Sequence, residues 1–159
     1  MQSWNEYKPG KGDDYIPIAR WGQDHWSTLA YLETRVTDGR GLIDNPRMRC
    51  NPRLHRHFAH VCTFTGKPHD GPEYPTRLKD GEIDHHDDWS CLEDMVAAGL
   101  ITAQWRVRHV GALFGNSEAK VALTDAGQAL AAQLRAHKAG GGRWANFEPQ
   151  PVQGQGANG

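Results

Sequence analysis

The sequence predicts an α+β domain with about four helices and one β-hairpin, and three observations carry that expectation. Apolar residues recur at helical spacing in four separate segments. A two-residue alternation follows the third of them and returns after a turn-rich interval. The chain has 159 residues and a 38% hydrophobic composition, enough for one core and too little for two ordinary domains.

The first helical segment is DHWSTLAYLETRV, where Trp26, Leu29, Ala30, Leu32 and Val36 form a stripe and Asp24 is placed to cap the N-terminus. It ends near Asp38 and Gly39. The second is NPRLHRHFAHVC, with Asn51 at the cap, Pro52 in the first turn and Leu54, Phe58 and Val61 on one face. Residues 63–86 hold scattered prolines and glycines with no sustained period and read as a long loop. The third helix starts at Asp87 or Asp88, buries Trp89, Leu92, Met95 and Val96, and stops at Gly99. LITAQWRVRHV alternates Ile101, Ala103, Trp105 and Val107 against polar neighbours, GALFGNSE supplies a turn, and AKVAL returns, which makes a hairpin. Thr124 or Asp125 then caps a last helix, DAGQALAAQLRAHKA. The domain organisation expected is a flexible arm over 1–15, the domain over 16–139, and a disordered Gly-, Pro- and Gln-rich tail over 140–159.

The run LEDMVAAGLI, strand, turn, strand, VALTDAGQALAAQL resembles the C-terminal part of a winged helix of the MarR and PadR type, over residues 87–137. The resemblance implies a winged-helix-like fold in which the helix before the hairpin is the recognition helix, the hairpin is the wing, and LT-x-x-G opens the next helix. It also implies a nucleic-acid partner. The third helix departs from that role, because Asp87, Asp88, Glu93 and Asp94 give it acids and no Lys or Arg.

Charge points to local patches. Eighteen Lys and Arg against 19 Asp and Glu give a formal charge of -1, so no whole-protein field draws the chain to DNA or anionic lipid. Arg40, Arg47, Arg49, Arg53 and Arg56 cluster against the single acid Asp44 and form a candidate phosphate-binding patch, which Arg106 and Arg108 on the wing strand extend. Asp87, Asp88 and Asp94 form the opposing acidic segment, suited to docking on another protein as an inhibitor or adaptor would.

Catalytic and metal readings rest on the histidines. His57, His60, His85 and His86 are the candidate metal ligands, and zinc is the cofactor they would suit, although their spacing specifies no tetrahedral set. The order His57 or His60, His86-Asp87, Asp125 resembles that of the HD-superfamily phosphohydrolases, yet a hairpin stands where such ligands need packed helices. Asp24, His25 and Ser27 form a triple on paper. No GxSxG or GxxxxGK[ST] motif is present. Cys50, Cys62 and Cys91 are an odd set without a CxxC pair, which favours reduced thiols, and no apolar leader or membrane span is read, so a cytoplasmic, non-enzymatic binding protein is expected.

Overall fold

A computed structural model describes residues 4–8, 15–44, 76–83, 88–110 and 114–151. Its elements are β1 (Asn5–Glu6), a helical turn at Ile18–Arg20, α1 (Gln23–Gly39), β2 (Leu42–Asp44), β3 (Thr76–Leu78), β4 (Gly81–Ile83), α2 (Asp88–Ala97), β5 (Ile101–Val110), β6 (Phe114–Leu123), α3 (Asp125–Ala139) and a second turn at Trp144–Asn146. The fold class is α+β. A four-stranded antiparallel sheet has the order β1-β5-β6-β2, and β3 and β4 form a separate hairpin. The second predicted helix, near 51–62, lies outside the described residues.

The period-two pattern fixes the register of the main hairpin. Ile101 pairs with Leu123, Ala103 with Val121, and the ladder continues to Val110 with Phe114. Ile101, Ala103, Ala119 and Val121 are buried while Thr102, Gln104, Lys120 and Ala122 are exposed, so the inner face closes on the helices. Against it lie Trp26, Leu29 and Leu32 of α1, Leu92 and Met95 of α2, and Leu130 and Leu134 of α3, all in one apolar cluster. Each such fully buried side chain contributes about 1.5–3 kcal/mol relative to leaving it in water.

The join between α2, the sheet and α3 shows why the LT-x-x-G run is needed. Gly99 has φ 78°, a left-handed conformation, and its N–H and that of Leu100 donate to the carbonyls of Val96 and Met95 at 3.0 Å each. This closes α2 and turns the chain into β5. Thr124 caps α3 by accepting from the Gly127 N–H at 3.0 Å and donates its own hydroxyl to the Gly99 carbonyl at 2.7 Å. A Cβ at Gly127 would stand 1.9 Å from the Leu100 carbonyl oxygen, so only glycine lets α3 start this close to the end of α2.

Three expectations need correction. Residues 76–83, expected within a loop, form the β3–β4 hairpin, in which Leu78 pairs with Gly81 around Lys79 and Asp80. Thr76 and Leu78 are buried, and Asp24 receives the Arg77 N–H at 2.9 Å together with an Arg77 guanidinium bond at 2.9 Å. Asp24 is therefore not the cap of α1, which begins at Gln23 after Gly22. The expected arm and tail are ordered where they are described. Tyr7 is buried, donates its N–H to the Ala103 carbonyl at 2.9 Å, and meets the Tyr15 hydroxyl at 2.6 Å.

At the other end, residues 143–150 fold back as a strap. Phe147 is buried edge-on against Trp26 at 4.8 Å, and Gln133 and Gln150 exchange hydrogen bonds of 2.9 and 2.8 Å. Lys79 pairs with Glu148 at 2.7 Å, tying the strap to the β3–β4 hairpin.

Thr124→Ala should lower unfolding stability by about 1 kcal/mol in urea titration, with Thr124→Ser retaining most of it. Gly127→Ala should cost about 1–3 kcal/mol, since α3 must shift away from Leu100. A neutral Gly127→Ala would show that the close approach is not needed.

Candidate functional site

The chemistry-bearing side chains that the structure brings together are internal. Asp94 lies on α2 and is 1% exposed, and His25 on α1 is 0% exposed. The His25 Nε2 stands 2.7 Å from one Asp94 carboxylate oxygen, and the Ile16 N–H donates to the other at 2.9 Å. A carboxylate only accepts, so the imidazole is the donor in the first bond. Ile16 sits in an extended approach to α1, where neither helix nor sheet satisfies its backbone. Its carbonyl accepts from the Trp21 indole N–H at 2.8 Å, and the Trp21 ring stacks on His25 at 4.8 Å with an 18° tilt. The cluster therefore meets the polar groups of a buried turn with two side chains.

This arrangement corrects the place given to Asp94 in a partner-docking acidic segment. Its carboxylate is enclosed and its hydrogen bonds point inward. Glu93 is also fully buried, and Cys91 to Met95 form five consecutive buried residues, more than one helical turn. That stretch of α2 is enclosed on every side and is not free to enter a nucleic-acid groove. Asp88 begins α2, and Asp87 lies outside the described residues.

The His25 and Asp94 pair has the donor set of a general base and its orienting acid, but its burial bars a substrate from the imidazole. The paper triple of Asp24, His25 and Ser27 is dissolved: Asp24 faces Arg77, and Ser27 donates to the Asp24 backbone carbonyl at 3.2 Å. His57, His60, His85 and His86 lie outside the described residues, and among the described residues no three His, Cys, Asp or Glu side chains converge as a metal site.

Among the candidate phosphate contacts, Arg47, Arg49, Arg53 and Arg56 also lie outside the described residues. Arg40 is exposed at the C-terminus of α1 in the left-handed conformation, φ 58°, from which the chain enters β2. Arg106 is half-buried on β5, with its guanidinium 4.2 Å from the centre of the Trp4 ring. Arg108 is placed by its strand pairing with Asn116. The structure thus puts Arg106 and Arg108 on one ribbon.

His25 was accessible to sequence reasoning. Extending the Leu29 and Leu32 stripe back by one turn lands on it, at i, i+4, i+7 spacing.

No family model matches the chain, and comparison with curated proteins and with solved structures finds no match. No helix among the described residues is long and apolar enough to cross a membrane.

Removing either partner of the buried pair should destabilise strongly. His25→Ala and Asp94→Ala should each cost about 3–5 kcal/mol, and the double variant clearly less than the sum, as read by denaturant unfolding. Strict additivity would mean that the two side chains are not coupled.

Proposed function

We propose that the chain is a non-enzymatic, winged-helix-like module that binds nucleic acid, or a nucleoprotein complex, through Arg40, Arg47, Arg49, Arg53 and Arg56 and through the ribbon arginines Arg106 and Arg108. The observation that carries this reading is the withdrawal of Glu93 and Asp94 into the core. An acidic helix beside the wing was the main electrostatic objection to a phosphate partner. Of the three acids of α2, Asp88, Glu93 and Asp94, these two are turned inward.

Two further observations agree with it. Residues 88–110 and 114–139 run as helix, long antiparallel ribbon and Thr-capped helix, the order that the winged-helix resemblance leads one to expect. Arg40 is exposed and has no ion-pair partner among the described residues. With Cys91 to Met95 enclosed, this reading gives contact to the arginine patch and the ribbon and leaves α2 as their support.

Binding of this kind is dominated by neutralised phosphates. The affinity for a short duplex or single strand, followed by fluorescence anisotropy, should fall steeply with salt. Changing Arg49, Arg53 and Arg56 together to Ala should weaken it for all sequences alike and reduce the log–log salt slope by about 0.9 per lost duplex contact. Absence of binding at about 50 mM salt would remove this function from consideration.

A further inference from the structure

The C-terminal strap is braced as a piece of its own. The Arg143 N–H donates to the Asn146 Oδ1 at 3.0 Å, the Asn146 N–H to the Arg143 carbonyl at 3.2 Å, and the Phe147 N–H to the Trp144 carbonyl at 3.4 Å. Only Gly140, Gly141 and Gly142 join it to α3. Its seat on the body is a groove with three distinct grips. Phe147 meets Trp26 of α1 and His137 of α3 edge-on, and Glu148 pairs with Lys79 of the β3–β4 turn. The Gln133 carboxamide donates to the Gln150 carbonyl and accepts from the Gln150 N–H, so it holds an extended backbone at both of its polar groups. Groove and strap are complementary in shape, charge and hydrogen bonding.

The link that keeps them in one molecule is the tight part. The Gly141 and Gly142 N–H groups donate back to the carbonyls of Lys138 and His137 at 3.0 and 2.9 Å, with Gly141 at φ 90°. Gly142 then passes the His137 ring so closely that a Cβ would stand 2.3 Å from it. The ring is not free to swing aside: its Nε2–H bonds the Arg143 carbonyl at 2.8 Å and the Asn146 Oδ1 at 2.9 Å. Closure of the strap onto its own chain therefore rests on glycine at two of three linking positions. A docked terminal segment on a short, constrained hinge is the arrangement from which identical chains exchange segments at low cost.

We propose that the groove over Trp26, Gln133 and His137 accepts residues 143–150 of a second copy of this chain, so that two molecules exchange straps about Gly140–Gly142 and each completes the other's groove with its Phe147. The second copy is the occupant because its segment carries the same ring, acid and backbone that already fit. The exchange is separate from the arginine patch and does not depend on nucleic-acid binding.

The monomer and the exchanged dimer hold the same groove contacts, so the balance is set by the effective concentration of the tethered strap, about millimolar for a short flexible link. Gly142→Val collides with His137 in the closed form and suits an extended link, and it should lower the monomer–dimer midpoint in sedimentation equilibrium about tenfold or more. Adding Phe147→Ala should restore the monomer with the helical circular dichroism retained. A folded Gly142→Val chain that stays monomeric up to about millimolar concentration would overturn the proposal. So would a dimer that survives Phe147→Ala, since its contact then lies elsewhere. The unaltered chain gives a reading that needs no variant: in a mixture of two differently isotope-labelled samples at about millimolar concentration, filtered spectra should show Phe147 ring protons of one molecule against Trp26 of the other. Absence of that cross-peak also counts as refutation.

Discussion

The Asp94 carboxylate is the point at which the described parts of the fold are joined. It sits on α2, receives the Ile16 N–H from the approach segment and the His25 imidazole from α1, and so links these two adjoining segments to a helix 78 and 69 residues further along the chain. A carboxylate in an apolar interior is tolerated only when its oxygens are met, and here each has a donor. The Trp21 indole completes the arrangement by taking the Ile16 carbonyl and covering the imidazole. With Ile16 fixed, the turn at Ile18–Arg20 and the start of α1 follow, and the β3–β4 hairpin docks on them through Asp24 and the Arg20 carbonyl, which accepts from Lys79 N at 2.9 Å.

The periphery depends on this centre through apolar contacts more than through its ion pairs. Arg20 with Asp80, Arg77 with Asp24 and Lys79 with Glu148 all involve at least one exposed side chain. Pairs in that setting contribute about 0–1 kcal/mol each. The strap instead gains its hold from Phe147, which reaches Trp26 of α1 and stacks edge-on with His137 of α3 at 5.2 Å. One ring therefore bridges two helices, and the glutamine pair and Glu148 set its direction.

Periodicity made the fold's regular parts legible in the sequence. Ile101 and Ala103 alternate with polar neighbours because one sheet face is covered and one is open, and the Trp26, Leu29 and Leu32 stripe exists because α1 is covered on one side. What stayed hidden was held by single long-range contacts. Thr76 to Ile83 is too short to show a period, and its one local signal was the Asp80-Gly81 dipeptide of a tight turn. Phe147 lies in a stretch whose composition is that of a tail, and nothing local says that Trp26 awaits it. In the sequence, charge marks the surface, yet Asp94 is inside because Ile16 and His25 supply donors that only the assembled fold can bring to it.

That inversion bears on function. In a chain with formal charge -1, a phosphate partner can be held only where acids are removed from a basic neighbourhood. Removal here is achieved by folding: Glu93 and Asp94 are drawn into the core, while Arg40 stays on the surface at the end of α1. The α1 carbonyl terminus adds partial negative charge beside Arg40, which favours the guanidinium there without pairing it. An arginine placed by a helix end and left without a carboxylate among the described residues retains its capacity for an external anion. Arg77, by contrast, has surrendered that capacity to Asp24. The distinction between the two, one spent internally and one without an ion-pair partner among the described residues, is what separates them as candidates for an external anion.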